Sequence, residues 1–556
     1  MIETAAKVSH NEVIKEANPT LAGSIGATLA DPNVDRFSED DAQFMKFHGI
    51  YQQDDRDKRK VAKEYIFMVR GRLPGGVVPP DQYLVFDRIS DLYGNKSLRI
   101  TSRQGFQFHG VLKKGLGPLI KEINLALATT LAACGDVNRN VMAPSTPATS
   151  DLVEEVLAQA RKVSNALLPK TPAYHQIWVE NVPLNLSDAD PNFVDPLYGK
   201  TYLPRKFKVA FAIPPLNDID VFTNDLGLIA IEENGKLVGY NLCAGGGLGM
   251  SHGNKETFPR VADVVGFIKP QDVETFAKAT VTVHRDFGDR TNRKHARLKY
   301  VLEEKGPDWF RAEVEQRTGI KFEPARPYKF TKQGDLFGWY KQTNGNSFLG
   351  LFVETGRVKD TPQVQLKTAL RKVVEQFRTE IRLTPSQNLI IANVASPNIE
   401  AINRVLKEHG VVVENQATPT RGASMACPAL PTCGLALSES ERVMPSIISR
   451  LEDVLKEVGL ANEEIIVRMT GCPNGCARPY MAEIGLVGRA PNKYQIFVGG
   501  NEGCTRLNRL FKENVKGEDL LTELRPALTR FAAERQAGER FGDFANRVLF
   551  PEMAAT

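Results

Sequence analysis

The sequence predicts an α+β protein built from two related halves, and three features of the chain support this fold class. The chain has 556 residues, which is more than one hydrophobic core ordinarily serves. Beyond residue 60, segments of alternating apolar residues interleave with segments of helical periodicity, so mixed helices and strands are expected. Three pairs of similar segments also occur in the same order along the chain.

The internal repeat defines the two halves. LRITSRQGFQFHGV at 98–111 resembles IRLTPSQNLIIANV at 381–394, VMAPSTP at 141–147 resembles MACPALP at 425–431, and YNLCAGGGLG at 240–249 resembles YQIFVGGNEG at 494–503. Duplicated halves commonly pack about a pseudo-twofold axis, and the seam between them is a common place for a large ligand. We therefore expect mixed α/β domains arranged around a central site.

Composition narrows the class of protein. The 71 basic and 66 acidic residues give a net charge of +5, which is too small by itself to indicate nucleic-acid binding. No apolar run approaches the roughly 20 residues of a membrane helix, and residues 1–21 lack the apolar core of a secretion signal. We therefore expect a cytoplasmic protein with no membrane or nucleic-acid partner. The polar residues 1–60 are expected to form an arm or extended lead-in.

Four of the seven cysteines form two pairs towards the C-terminus. Five residues separate Cys427 from Cys433, and after 38 more residues three separate Cys472 from Cys476. Iron–sulfur clusters are held by thiolates, and the proline and glycine beside these cysteines supply the turns that four converging ligands need. The first half has Ala143 where the second has Cys427, so only the second half is predicted to bind the cluster.

Two other interpretations of the cysteines stay open at this point. Structural zinc prefers gaps of two to four residues in two similar knuckles, which gaps of five and three fit poorly. Buried unligated cysteines would not explain paired spacing beside prolines. The isolated Cys134, Cys243 and Cys504 are better explained as core residues, because an odd number of cysteines does not fit a disulfide framework.

Basic side chains recur at positions unusual for a solvated surface. Lys206 and Lys208 alternate with apolar residues, so both face the same side of a predicted strand. Burying such cations without an anion costs free energy, so a polyanionic ligand is predicted, although each residue alone could be an ordinary exposed charge. The candidates are Arg70, Arg72, Arg99, Arg103, Arg139, Lys206 and Lys208, with a cluster of helical spacing at Arg290, Arg293, Lys294 and Arg297.

Several longer motifs resemble the sirohaem-containing sulfite and nitrite reductases. The resemblance rests on the cysteine spacing and on TGCPNGC at 470–476, RQGFQFHG at 103–110, NRN at 138–140, LPRKFK at 203–208 and FGDF at 541–544. It covers nearly the whole chain and implies a duplicated fold around a central cofactor site. The implied domains are the arm at 1–60, ferredoxin-like half-domains at 61–135 and 331–415, a sirohaem and anion-binding domain at 136–330, and a sirohaem and cluster domain at 416–556.

The resemblance also implies roles for individual residues. The four cysteines would hold a 4Fe-4S cluster, with Cys476 also ligating the sirohaem iron. Sulfite would be bound by Arg70, Arg139, Lys206 and Lys208, and we expect the lysines to deliver protons and the arginines to clamp the anion. Further cofactor contacts are expected from Arg99, Arg103, His109, Arg205, Lys294 and Asn474. From the residues alone, a structural role for His109 is favoured over a catalytic one.

The function implied by the resemblance is the six-electron reduction of sulfite to hydrogen sulfide, in sulfate assimilation and cysteine biosynthesis. No flavin or NADPH module is evident in the chain, so electrons are expected from a separate protein, either a diflavin NADPH-dependent reductase or a ferredoxin. A nitrite reductase on the same scaffold is the first alternative. A zinc-stabilised nucleic-acid-binding protein is the second and weaker one.

Overall fold

The computed structural model describes residues 7–147, 150–174, 177–179, 182–184, 193–414 and 417–550. The elements of the first half are α1 (His10–Ala17), α2 (Ile25–Ala30), α3 (Glu39–Phe47), β1 (Ile50–Asp54), β2 (Tyr65–Arg70), β3 (Val77–Val78), α4 (Pro80–Tyr93), β4 (Leu98–Ile100), β5 (Phe106–Val111), α5 (Lys113–Leu125), α6 (Val153–Ala166), β6 (Ile177–Val179), β7 (Val182–Leu184), β8 (Val209–Ala212), β9 (Leu226–Glu233), β10 (Lys236–Ala244), β11 (Asp263–Ile268), α7 (Val273–Phe287) and α8 (Leu298–Thr318).

The elements of the second half are β12 (Gly338–Lys341), β13 (Ser347–Leu351), β14 (Arg357–Val358), α9 (Leu366–Phe377), β15 (Glu380–Leu383), β16 (Leu389–Val394), α10 (Ile399–Glu408), α11 (Pro419–Gly422), β17 (Met425–Ala426), α12 (Met444–Glu457), β18 (Val467–Thr470), β19 (Ile484–Ala490), β20 (Lys493–Val498), β21 (Arg509–Lys516), α13 (Leu520–Glu534) and α14 (Phe541–Phe544). Within the described ranges, no helix is both long enough and apolar enough to cross a membrane.

Each half contains a five-stranded antiparallel sheet, and the two sheets exchange their edge strands. The first has the order β1-β2-β5-β4-β14 and the second has the order β12-β13-β16-β15-β3. Strand β14 of the second half pairs with β4, with Val358 opposite Leu98, while β3 of the first half pairs with β15, with Val78 opposite Ile381. This reciprocal exchange is the arrangement expected of a pseudo-twofold axis, so the predicted duplicated α+β fold is confirmed.

The remaining two large sheets repeat the same relation. One has the order β11-β10-β9-β8 and the other has the order β17-β18-β19-β20-β21. In each, parallel strands at one end (β8 with β9 in the first, β17 with β18 and β18 with β19 in the second) are followed by antiparallel strands. The segments 240–249 and 494–503, matched in the sequence, supply the equivalent strands β10 and β20.

One hydrophobic core is shared by the two five-stranded sheets. It includes Phe86 and Phe108 from the first half and Val373 and Ile391 from the second, all fully buried. Separate cores lie beneath α6–α8 and beneath α12 and α13. Because apolar side chains from both halves fill one core, the surfaces that meet at the seam are held in a fixed relation.

The N-terminal residues correct one expectation. Three helices and strand β1 lie within residues 7–54, and Ile14, Phe44 and Phe47 are part of a buried core. Helix α3 begins where the hydroxyl of Ser38 accepts from the N–H of Asp41 (3.1 Å), with acidic residues in its first turn. The extended lead-in predicted for residues 1–60 is therefore wrong over this range.

The basic cluster at 290–297 has helical spacing in the sequence, but it does not form a helix. These residues form an irregular link between α7 and α8. The carboxylate of Asp289 accepts from the N–H groups of Thr291 (2.7 Å) and Asn292 (3.0 Å), which caps a turn in place of a helix. The basic side chains of this link therefore project in several directions, as the site shows.

Candidate active site

A cavity of about 620 Å³ lies where the two halves meet. All four paired cysteines line it, namely Cys427, Cys433, Cys472 and Cys476. Its basic side chains are Lys46, Arg70, Arg99, Arg103, Arg139, Arg205, Lys206, Lys208, Arg293, Arg297 and Arg478. The fold therefore brings the predicted thiol site and most of the predicted anion site into one space.

Adjacent parallel strands carry the two cysteine pairs to the same edge of a sheet. Cys427 follows β17 and Cys472 follows β18, and these two strands pair in parallel. The N–H of Cys427 donates to the carbonyl of Met469 (3.2 Å), and the N–H of Leu437 donates to the carbonyl of Gly471 (2.8 Å). Backbone hydrogen bonds thus hold the two cysteine-bearing loops against each other.

Glycines in TGCPNGC and beside it are required by close backbone packing. A Cβ atom on Gly471 would lie 2.5 Å from the carbonyl oxygen of Ser438 and 2.6 Å from the Cβ of Ala429. A Cβ atom on Gly488, in the neighbouring strand β19, would lie 2.5 Å from the carbonyl oxygen of Gly471. Any other residue at either position would push the cysteine loops apart.

The cysteine thiols lie in surroundings that suit a metal cluster. The N–H of Gly471 donates to Cys427 Sγ (3.4 Å), and Asn474 Nδ2 donates to Cys472 Sγ (3.5 Å). Burial raises the pKa of Cys427 and raises the pKa of Cys472 to about 12, and the nearby Cys476 adds to both shifts. Thiolates are stable here only when positive charge lies among them, which the iron of a cluster supplies.

Cationic charge dominates the rest of the cavity wall. Among the described residues that line it, Asp136 is the only carboxylate, and Arg293 already binds it through two hydrogen bonds (2.7 and 3.0 Å). Within the described part of the chain, Arg103 Nε is buried without a hydrogen-bond partner. Buried cations need a counter-anion. The wall therefore fits a flat group that carries several carboxylates, as sirohaem does.

Lys206 and Lys208 lie half-buried in the wall, directly before β8. The N–H of Lys208 donates to the carboxylate of Asp225 (2.9 Å), which also pairs with Arg297 (2.7 and 3.0 Å). Burial, reinforced by Arg205 and Arg297, lowers the pKa of Lys206 to about 7. Burial and the neighbouring Lys206 lower the pKa of Lys208 well below its usual range. Lysines in this condition can release a proton near neutral pH.

Arg70 and Arg139 line the same cavity from two other directions. Arg70 ends strand β2, and its Nη1 donates to Cys134 Sγ (3.3 Å). Arg139 Nε donates to the carbonyl of Gly135 (2.8 Å). The structure therefore brings the four predicted catalytic side chains to one cavity, while their individual roles stay predictions.

The six predicted cofactor-binding residues divide into two groups. Five of them, Arg99, Arg103, His109, Arg205 and Asn474, line the cavity. The exposed Lys294 is not among the described residues that do so. Its neighbours Arg293 and Arg297 take positions in the wall instead, because the irregular link turns Arg293 towards Asp136 and Arg297 towards Asp225.

Sequence analysis missed the contribution of the N-terminal residues to the site. Gln43 and Lys46 of α3 and Tyr51 of β1 line the cavity. Lys46 Nζ donates to Gln43 Oε1 (2.6 Å) and lies 5.6 Å from the centre of the Tyr51 ring. Burial lowers the pKa of Lys46 to about 8. The signal available in the sequence was the acidic first turn of α3, which marks a helix where a lead-in was expected.

The chain belongs to the nitrite and sulfite reductase family. The model of the nitrite/sulfite reductase ferredoxin-like half domain matches residues 59–126 and 340–409. The model of the nitrite and sulphite reductase 4Fe-4S domain matches residues 158–322, in the half that lacks the paired cysteines. The family predicted from the motifs is confirmed, and the exact domain boundaries stay predictions.

Individual relatives agree over nearly the full length. A Shewanella protein named sulfite reductase (NADPH) hemoprotein beta-component is 48% identical, covering 98% of this chain and 97% of the relative. A Myxococcus xanthus protein of the same name is also 48% identical, covering 97% of this chain and 96% of the relative. The solved structure of the Mycobacterium tuberculosis NirA protein has a TM-score of 0.79 at 23% identity, covering 97% and 96% of the two chains, and therefore shares the fold.

In the part of the chain that the structure describes, no three histidine, cysteine, aspartate or glutamate side chains converge where a single metal ion would bind.

Proposed function

We propose that this protein is an assimilatory sulfite reductase, which reduces sulfite to hydrogen sulfide with six electrons. The observation that carries the proposal is the meeting of four thiols and a cationic wall in one cavity between the two halves. Membership of the nitrite and sulfite reductase family supports it, as do the names of relatives at 48% identity.

The residues present fit two cofactors, a 4Fe-4S cluster and a sirohaem. The four cysteines would hold the cluster, and we assign Cys476, the most exposed of them, to ligate the sirohaem iron as well. When bound, a sirohaem would supply redox chemistry to the cavity, namely an iron able to accept an anion and to transfer electrons. Arg99, Arg103 and Arg205 line the cavity, and we assign them to hold its carboxylates.

The protein's own side chains supply the anion binding and the protons. Sulfite is an anion that must approach a group already rich in carboxylates, so fixed positive charge is needed to bring it in. Arg70 and Arg139 clamp its oxygens. Each S–O cleavage releases oxygen as water and consumes protons, which Lys206 and Lys208 deliver because their pKa values are lowered.

A spectrum and an elemental analysis test the cofactor assignment. Purified protein should show a Soret-type band with long-wavelength chlorin bands, and it should contain acid-labile sulfide. A colourless protein that contains zinc would overturn the proposal in favour of the zinc-stabilised alternative. Turnover of sulfite and nitrite with an artificial electron donor separates the remaining two, since faster turnover of nitrite with a lower KM would identify a nitrite reductase.

The electron donor is proposed to be a separate protein. The relatives' name supports a diflavin NADPH-dependent reductase over a ferredoxin. Sulfide formation from NADPH after reconstitution with the diflavin reductase would support this choice, and activity with reduced ferredoxin alone would overturn it. The expected cytoplasmic location is checked by cell fractionation.

A further inference from the structure

A buried cluster of ion pairs connects the loop of Cys427 and Cys433, the first cysteine loop, to the rest of the protein. Glu441 follows this loop, and its carboxylate accepts from Arg99 (Nε to Oε2, 2.9 Å) and from Arg357 (Nε to Oε1, 2.7 Å; Nη2 to Oε2, 3.0 Å). The N–H of Glu441 donates to the carbonyl of Cys427 (3.1 Å). One residue therefore joins two arginines to a cysteine predicted to bind the cluster.

The two arginines extend the contact in opposite directions. Arg99 Nη2 donates to the carbonyl of Ala426 (2.7 Å), directly before Cys427. Arg357 donates weakly to His109 Nδ1 (3.4 Å), and His109 in turn contacts Gln107 (3.3 Å). The series of contacts thus runs from the cysteine loop along strands β14 and β5 of the first sheet, to side chains that line the cavity.

The charges in this cluster are set by burial and by the two arginines. Burial alone would raise the pKa of Glu441, but Arg99 and Arg357 outweigh it and lower the pKa to about 2. Burial and Arg357 hold the pKa of His109 well below its usual range, so this imidazole is neutral. Glu441 is therefore an anion that compensates two cations beside the cysteine loop.

The internal repeat supplies a comparison within the same chain. Arg382, the repeat counterpart of Arg99, pairs with Glu154 (2.7 Å) in the half that has no paired cysteines. The Glu154 side chain is 64% exposed, whereas that of Glu441 is 13% exposed. Glu441 also receives a second arginine, Arg357. Arg382 also pairs with Glu380 (2.6 Å), whose side chain is 22% exposed. Of these three carboxylates in the described part of the chain, that of Glu441 is the least exposed and the one that two arginines share.

We propose that Glu441 is a positioning residue, which through Arg99 and Arg357 fixes the loop of Cys427 and sets the charge around the cluster. This inference rests on the proposed function, because it requires that the cysteines hold an iron–sulfur cluster. Neutralising Glu441 removes the carboxylate that Arg99 and Arg357 share, so the net charge beside the cluster becomes more positive. Nearby positive charge favours the reduced state of a cluster. Side chains that support metal ligands typically contribute about 10–100-fold to metal retention.

The test compares Glu441→Gln with Glu441→Asp and with the matched control Glu154→Gln in the holoenzyme. The readouts are the cluster midpoint potential by EPR-monitored titration and the rate of iron loss to a chelator. Glu441→Gln should have a more positive potential and lose iron about 10–100-fold faster. The potential and the rate of iron loss of Glu441→Asp should lie closer to those of wild type, and those of Glu154→Gln should equal the wild-type values.

Two results would overturn the inference. One is a wild-type potential and a wild-type rate of iron loss in Glu441→Gln, and the other is an equal change in Glu154→Gln. If Glu441→Gln does not fold, Arg357→Lys is the alternative test, because lysine keeps the positive charge but cannot form both hydrogen bonds to Glu441. A changed rate of iron loss in this variant supports the inference, and an unchanged rate overturns it. Wild-type protein without iron and acid-labile sulfide would instead overturn the proposed function itself.

Discussion

Replacing Lys206 by Met should reduce the protons taken up when sulfite binds. The pKa of Lys206 is about 7 because of burial and the neighbouring Arg205 and Arg297. A bound anion stabilises the charged lysine and raises its pKa, so binding must draw a proton onto Lys206 at any pH above about 7. At pH 8 a group of pKa about 7 is about one-tenth protonated, so the upper bound is about 0.9 proton per sulfite. Carboxylates of a bound cofactor also stabilise the charged Lys206 and raise its pKa before sulfite binds, so they lower the number of protons taken up.

Isothermal titration calorimetry in buffers of different ionisation enthalpy measures the proton uptake. Ionisation of sulfite contributes equally to both proteins, so the difference between wild type and Lys206→Met isolates Lys206. Since wild-type affinity gains from this proton, it should also fall more steeply than that of the variant as pH rises above about 7. The control is Lys200→Met, an exposed lysine 3.8 Å from Glu16, which should behave as wild type. Equal proton uptake by wild type and Lys206→Met would refute the assignment of Lys206 to the anion site.

Two further changes test the cysteine loops. Cys476→Ser should disturb the visible haem spectrum and abolish sulfite turnover. The control is Cys504→Ser, at a buried thiol 3.3 Å from Gln333 Oε1, which should keep the wild-type spectrum and turnover. Identical visible spectra of the two variants would contradict the placement of Cys476 at the haem. Gly488→Ala places a Cβ 2.5 Å from the carbonyl oxygen of Gly471. It should lower the free energy of unfolding by about 1–3 kcal/mol, measured by thermal melting, and should lower the iron content per chain, measured by iron analysis. Gly26→Ala is the control, because an added Cβ there meets nothing within 4 Å and Gly26 is not among the described residues that line the cavity. Equal losses in both variants would contradict the packing argument.

Local pattern was enough to predict the repeat, the cysteine site and most of the cationic wall. The matched segments 98–111 and 381–394 form equivalent hairpins because their apolar residues alternate with the same period. Strands β3 and β14 are two residues long and cross between the halves, so no periodicity could reveal them. Glu441 and Arg357 escaped notice for a related reason: their importance comes from contacts with Arg99 and His109 that are distant in the sequence.

The structure differs from the expectations for residues 290–297 and 1–60. The basic residues around Lys294 have helical spacing, but they form no helix because the Asp289 carboxylate caps a turn there. Lys46 was overlooked because residues 1–60 were treated as polar lead-in. Helix α3 nonetheless buries Phe44 and Phe47, and this packing directs Lys46 to the cavity.

The two halves hold the repeated segments 141–147 and 425–431 through similar contacts, although not at matched positions, and only the second of these segments carries cysteines. Gln104 accepts from the N–H of Ala143 (3.0 Å), and Gln387 accepts from the N–H of Ala426 (3.3 Å), the residue before Cys427. Across the seam, Arg99 and Arg382 donate to backbone carbonyls of the opposite segment (2.7 and 3.3 Å). The cluster therefore depends on which side chains the shared backbone presents.

Ala143→Cys alone should therefore not create a second cluster. The segment equivalent to the Cys427 loop would then present one thiol, but the first half has no counterpart of the paired Cys472 and Cys476, and a cluster needs four thiolates. Iron and acid-labile sulfide per chain should equal those of wild type, and sulfite turnover should persist. A doubled iron content would show that ligands from outside the equivalent segments can complete a cluster, and it would contradict the explanation of why the two halves differ.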